Sequence, residues 1–287
     1  VFKERIITIS GYCPDKAGIV AKVSQTIFQE NGWILDTSHH SDIDTNKYFM
    51  RIEIKANSLK NGVGEFLQKF TKVSSELEFE WQWTDSDRKK RVALLVSKEV
   101  HCLFEILARN YSRDWNIEIP LIISNHRQLE EVVNWHQIPF YYLPMKSEQE
   151  KRSAFIQIDK LIDENQIEVI ILARFMQIIP SWLCDKYPNR IINIHHSFLP
   201  SFVGAKPYHQ AFGRGVKLIG ATCHYVTEKL DQGPIIEQDV IRIDHSDTPE
   251  DLIRCGREIE KIVLSRGLQY HLEDRVIING IKTVVFR

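Results

Sequence analysis

The sequence predicts an α/β protein of two domains: a small βαββαβ unit over residues 1–84 and a larger, mostly parallel, helix-flanked sheet over 91–287. Three observations predict it. In the first third, β-branched and amphipathic stretches follow one another as strand, helix, strand, strand, helix, strand. A polar run, Thr84-Asp85-Ser86-Asp87-Arg88-Lys89-Lys90, then interrupts the apolar periodicity and reads as a linker over 85–90. Beyond it, short runs of Val, Ile and Leu alternate with helical patterns, as strands covered on both faces do in a parallel sheet.

Residues 6–12 read as the first strand and 17–30 as the first helix, which Asn31-Gly32 stops. Strands at 33–43 and 46–55 pair across a turn near Asp44-Thr45-Asn46. A helix at about 60–73 follows, then a half-buried strand in which Leu77, Phe79, Trp81 and Trp83 alternate with polar residues. This order packs two helices on one face of an antiparallel sheet. In the second domain the strands fall at 92–96, 117–123, 169–173 and 191–194, with helices near 100–110, 127–135, 148–165 and 180–187. A hairpin-like pair at 218–226 and 235–243 precedes a long helix at 248–270. A closing hairpin at 277–286 carries an Asn279-Gly280 turn, a favoured two-residue type. Ligands of such sheets bind beyond the carboxyl ends of the strands. The segments 175–180 and 195–200 lie at those ends.

Composition excludes several classes. With 37 basic and 38 acidic residues the net charge is −1, so no broad basic surface argues for a nucleic-acid partner. Arg88-Lys89-Lys90-Arg91 reads as a solvated linker end. No apolar run reaches the length of a membrane span and no signal-peptide pattern appears, so the expectation is a cytoplasmic protein without a membrane partner. The five cysteines are scattered without metal-ligand spacing and read as reduced thiols.

The chemistry concentrates in Asn193-Ile194-His195-His196-Ser197-Phe198-Leu199-Pro200, His224-Tyr225-Val226 and Leu230-Asp231-Gln232-Gly233-Pro234. An amide, an imidazole and a carboxylate fall within 39 positions, on strand ends and turns. Asn193 and His195, two apart on a strand, share a face. Asp231 follows the next strand at a Gly-Pro turn. Such a set suits acyl or formyl transfer: the amide stabilises an oxyanion, the imidazole moves a proton or carries charge, and the carboxylate orients water or the imidazole. His196 points away from His195 by strand alternation and reads as packing or as support behind the site. His224 reads as core or as support for the trio. Four histidines (195, 196, 209, 224) do not make a zinc site, because neighbouring strand residues face opposite ways and no thiolate pair accompanies them. Lys206, just after the catalytic strand, is placed to meet a charged ligand group or to be a solvated loop residue.

These motifs resemble the folate-dependent formyltransferase family, with its N-x-H-x-S-x-L-P run, its H-[FY]-V strand and a D-x-G-P turn seven residues after that His. Here His224 and Asp231 are seven apart. A further family segment resembles Ile171-Leu172-Ala173-Arg174-Phe175-Met176-Gln177-Ile178-Ile179-Pro180, a strand end running into the pterin pocket. The resemblance covers about 91–287 and implies a Rossmann-like formyltransferase domain. It implies a catalytic trio of Asn193, His195 and Asp231, and substrate contacts from Phe175, Met176, Gln177, Ile178, His224, Gln232 and Gly233. It implies no cofactor and no metal, the folate being the substrate. Arg174 and Gln177 depart from the pattern, since relatives often carry Gly or Tyr, and Arg, there.

Two features resemble the branch of the family that hydrolyses 10-formyltetrahydrofolate. The segment Ser97-Lys98-Glu99-Val100-His101-Cys102 lacks the glycines with which nucleotide-binding relatives wrap a phosphate, and Glu99 would repel one. The first third resembles an ACT domain, carried by Ile6 through Val23 with its Cys13-Pro14-Asp15 loop. That resemblance implies an amino-acid effector near Asp15 and Gly18, a ferredoxin-like fold and a homo-oligomer. The bland alternative for Asp15 and Gly18 is that they shape the loop and cap the helix. A transferase to an amine acceptor without a phosphate, and a non-catalytic folate or amino-acid sensor, are the competing functions. The expected reaction releases formate for purine synthesis and balances the one-carbon folate pool.

Overall fold

The computed structural model describes residues 4–200 and 207–287, so Lys206 lies outside the described residues. The chain divides into two compact units, one of residues up to Lys89 together with Tyr270–Arg287, the other Lys90–Gln269.

The first unit runs β1 (Ile6–Pro14), α1 (Ile19–Gln29), β2 (Trp33–Asp42), β3 (Lys47–Lys55), α2 (Gly62–Leu77), β4 (Glu80–Asp85). The antiparallel sheet has the order β2-β3-β1-β4. Its central strands bury Ile7, Ile9, Ile52 and Ile54 against Val23 and Ile27 of α1 and Phe66 and Phe70 of α2. The edge strand β2 stays largely exposed. α1 starts at Gly18, whose φ of 90° lies in the left-handed region, and no side chain caps it. Asp15 instead accepts a hydrogen bond from Ser41 Oγ, so its carboxylate ties the loop to β2 and does not cap the helix.

The C-terminal hairpin departs from the sequence expectation twice. Tyr270–Arg287 groups with the first unit, whereas the sequence assigned everything from 91 to 287 to the second. The reason is apolar burial: Ile277 and Phe286 pack with Phe49, and Asn279 Nδ2 donates to Asp42 Oδ2 at 2.6 Å. The hairpin strands are β12 (Val276–Asn279) and β13 (Lys282–Val285), and Asn279 pairs with Lys282. The turn is therefore Gly280-Ile281, not Asn279-Gly280. The Asn279 side chain is held by Asp42, which keeps its backbone in the strand.

The second unit runs β5 (Lys90–Val96), α3 (His101–Ser112), β6 (Ile117–Ser124), α4 (Glu130–Trp135), β7 (Phe140–Tyr142), α5 (Glu148–Glu164), β8 (Val169–Ala173), α6 (Ser181–Lys186), β9 (Ile191–His195), α7 (Pro207–Arg214), β10 (Leu218–Tyr225), β11 (Ile235–Arg242) and α8 (Pro249–Leu272), the last ending in the first unit. The sheet order is β11-β10-β9-β8-β5-β6-β7. The five strands β9, β8, β5, β6 and β7 are parallel, while β10 runs antiparallel to both neighbours. β5 and β8 read as unbroken apolar runs because both faces are covered. Three-residue β7 has no periodicity to reveal it, and the sequence reading missed it. Ser147 and Glu150 start α5 with reciprocal side-chain bonds. The chain lays β6 and β7 on one side of β5 and returns with β8 on the other. The order thus reverses between β5 and β8, the place where open α/β sheets take ligands.

Candidate active site

A cavity of about 290 Å³ opens beyond the carboxyl ends of β8 and β9. Its apolar side includes Met176, Ile178, Val226 and Leu230, and its polar end includes Asn193, His195, His196, His224 and Asp231.

The register of β9 against β10 sets His224 opposite Asn193. Asn193 Nδ2 lies 3.2 Å from His224 Nε2, and His224 Nδ1 lies 2.9 Å from the Tyr225 carbonyl oxygen. A carbonyl only accepts, so Nδ1 carries the proton and Nε2 accepts from the Asn193 amide. Burial lowers the proton affinity of His224, more than the Tyr225 carbonyl and the Asp231 charge restore it, which keeps the ring neutral. The amide of Asn193 is thereby fixed with its second N–H left for a ligand. His195 is buried, its Nδ1 is 3.3 Å from Asp231 Oδ1, and its Nε2 has no hydrogen-bond partner among the described residues. Burial opposes ionisation of Asp231, but the hydrogen bond and charge of His195 outweigh that. The carboxyl is held below its ordinary range.

The loops that carry these groups are locally strained. Arg174, Met176 and Asp231 have φ of 62°, 47° and 57°, in the left-handed region that costs non-glycine residues about 1 kcal/mol or more each. The Asp231 turn is pinned by Gly233, because a Cβ there would lie 1.7 Å from the Tyr225 carbonyl oxygen. Tyr225 N–H donates to Pro234 O at 2.9 Å, closing the turn onto the end of β10.

The formyl transferase family model matches residues 90–268. A formyltetrahydrofolate deformylase of Synechocystis sp. is 43% identical over 274 residues, covering 96% of this chain and 96% of the relative. The crystal structure of a formyltetrahydrofolate deformylase from Pseudomonas syringae pv. tomato superposes with a TM-score of 0.97 at 51% identity, over 100% of this chain and 96% of that one. The chain belongs to the formyltetrahydrofolate deformylase family. A glycinamide ribonucleotide transformylase from Symbiobacterium toebii matches less of it, 69% of this chain and 95% of that one, with a TM-score of 0.64 at 25% identity.

Within this deformylase-family chain, the structure brings Asn193, His195 and Asp231 together, with His224 behind them. Phe175, Met176, Gln177 and Ile178 line the cavity, Phe175 from a buried position and Met176 and Ile178 exposed. Gln232 and Gly233 do not line it: Gln232 is exposed and Gly233 serves the turn. His196 corrects the alternation argument. β9 ends at His195, so strand alternation no longer applies, and the His196 ring sits 5.1 Å from that of His195 on the cavity wall. Burial, then the charge of Arg174, push its pKa down to about 4.

Sequence reasoning did not find Glu260. It lies on the face of α8 that buries Gly256, Ile259, Val263 and Leu264. A carboxylate on an apolar helical stripe was the available signal. Glu260 receives Tyr208 Oη at 2.6 Å and His101 Nε2 at 2.7 Å, and Arg174 Nε stands 3.4 Å away. Gly256 makes room, since a Cβ there would sit 2.1 Å from the Tyr208 ring. Burial resists the charge of Glu260, but His101 and Arg174 hold it ionised. His101, Cys102 and Glu260 also place one ligand atom each within 4.8 Å of one another. Burial pushes the Cys102 thiol well up, and Arg174 already stands against Glu260, so this group does not suit a metal ion.

Proposed function

We infer that this protein hydrolyses 10-formyltetrahydrofolate to formate and tetrahydrofolate, with the folate as substrate. The observation that carries the reading is the buried, unpartnered Nε2 of His195 beside the oriented amide of Asn193, with Nδ1 against Asp231. The pterin occupies the apolar side, against the 175–178 loop. The formyl oxygen faces Asn193 Nδ2–H and the Nε2–H of protonated His195, which donates from Nδ1 to Asp231. Water oxygen attacks the formyl carbon, and Asp231 orients the water or takes its proton. The tetrahedral intermediate collapses with cleavage of the bond to N10. One water proton ends on N10, and the other leaves as formic acid ionises. Each oxyanion donor is worth about 3 kcal/mol, or roughly 10²–10³ in rate.

Water is the nucleophile in this reading because the ground before α3 does not suit a phosphate. Glu99 occupies it, paired with Arg257 at 3.0 Å, and its carboxylate would repel a phosphate there. The test is to mix the protein with 10-formyltetrahydrofolate and no amine and to measure formate. Release of formate supports hydrolysis, and dependence on an added amine overturns it.

The first unit is read as an ACT-like regulatory domain. Its βαββαβ order with sheet order β2-β3-β1-β4 supports this, and Asp15 and Gly18 sit at the β1–α1 turn where an amino-acid effector would lie. Its edge strands β2 and β4 support a homo-oligomer formed by sheet pairing between chains. A cytoplasmic location accords with five free cysteines. No helix among the described residues is long and apolar enough to cross a membrane.

A further inference from the structure

The trio leaves two charged groups on the cavity wall without a role, exposed Glu228 and part-buried Arg174. Arg174 lines the cavity directly after β8, and its side chain is 13% exposed. Its Nη1 is shut off from solvent with no hydrogen-bond partner among the described residues, and its Nε is also unmet by good hydrogen-bond geometry. Its backbone is in the left-handed region. An unsatisfied buried donor and a strained backbone each cost about 1–3 kcal/mol, so their coincidence at a cavity calls for a functional reason.

Glu260 explains where the guanidinium is held. This carboxylate is 1% exposed and lies behind Arg174, bound on its other sides by His101 from the helix after β5 and by Tyr208. His101 follows β5 and Arg174 follows β8, so the cluster bridges the point where the strand order reverses. That is the crevice in which an open α/β sheet ordinarily admits a ligand. Here the chain's own ion pair fills it. A bare buried carboxylate at the edge of a catalytic cavity would be a binding group for an ammonium or amine. With Arg174 over it, this part of the wall presents the guanidinium to the cavity and not the carboxylate.

We propose that Arg174 is a specificity-determining residue that masks Glu260, closing the crevice to amine acceptors and leaving water as the only nucleophile. This rests on the hydrolase reading. Charge supports it: a permanent guanidinium repels the protonated amine that the bare carboxylate would hold. The masked acceptors are small primary amines, which need no phosphate subsite to enter.

The test compares hydrolysis with formyl transfer to glycinamide, by measuring formate and N-formylglycinamide from 10-formyltetrahydrofolate. Arg174→Gly suits the left-handed backbone at this position and removes the mask. The ratio of amide to formate should rise at least roughly tenfold over the unsubstituted protein. Arg174→Lys, which keeps the cation, should stay near the original ratio. Adding Glu260→Gln to Arg174→Gly should abolish the gain, because the amine-binding carboxylate is gone. A merely loosened site would lower both products together and leave the ratio unmoved. An unchanged ratio in an Arg174→Gly protein that still hydrolyses substrate overturns the proposal, as does a gain that survives Glu260→Gln. If Arg174→Gly does not fold, Arg174→Gln carries the same expectation in the same direction. Failure of the unsubstituted protein to release formate without amine would instead count against the hydrolase reading.

Discussion

His224 touches no reacting atom in this account, yet its loss should be costly. In a His224→Leu protein the Asn193 amide loses the 3.2 Å contact that fixes which of its ends faces the cavity. An unheld amide turns freely between presenting N–H and presenting C=O to the formyl oxygen, and only the first stabilises an oxyanion. Full loss of one oxyanion donor costs roughly 10²–10³ in rate. A donor correctly placed part of the time costs less, so kcat should fall about 10- to 100-fold. KM should move little, since the pterin-facing side is untouched. Stability should fall by about 1–3 kcal/mol, because the buried ring gives up its bond to the Tyr225 carbonyl. The assay is steady-state formate release on protein shown to be folded by circular dichroism and urea unfolding. A folded His224→Leu protein with kcat within about twofold of the original would refute the orienting role, because a free amide could not then matter.

Replacing Asn193 or His195 by Ala, or Asp231 by Asn, should each lower turnover by about two orders of magnitude or more, with folate binding by fluorescence titration little changed. Asp231 should also mark pH-dependent stability. Its folded pKa is depressed, so the stabilisation is present at neutral pH and lost as the pH falls through the folded value. The stability gap between the protein and its Asp231→Asn form, from urea unfolding, should therefore shrink below a pH of about 4; a gap that widens there contradicts it. Gly233→Ala should displace the turn, because its Cβ would meet the Tyr225 oxygen at 1.7 Å; a fully active, undiminished Gly233→Ala protein would contradict that placement. Millimolar glycinamide ribonucleotide should leave the formate rate unchanged, and diversion of the formyl group onto it would favour a transferase.

The sequence was most legible where burial is two-sided or chemistry is dense. β5 and β8 stood out as apolar runs, and Asn193, His195 and Asp231 by type and spacing. What it hid was non-local. Nothing in residues 270–287 announces that Ile277 and Phe286 find their partner in Phe49, more than two hundred positions away. The Asn279-Gly280 signal was real turn chemistry, but Asn279 stays paired in the strand, where its amide donates to Asp42 and Thr45. His196 was misplaced because alternation holds only within a strand, and the strand ends one residue earlier. Gln232 and Gly233 were read as ligand contacts, whereas the Gly233 backbone packs on Tyr225 and holds Asp231 in place. Glu260 and Arg174, some 86 positions apart, meet only through the fold.

The central claim is that water attacks the formyl carbon at Asn193, His195 and Asp231. The most direct measurement is turnover of 10-formyltetrahydrofolate in heavy-oxygen water with no amine present, followed by mass spectrometry of the formate. The account predicts one solvent-derived oxygen in each formate released, with tetrahydrofolate formed in equal amount and both lost in the Asp231→Asn protein. Formate that appears only when an amine is supplied, or that carries no solvent oxygen, would contradict it.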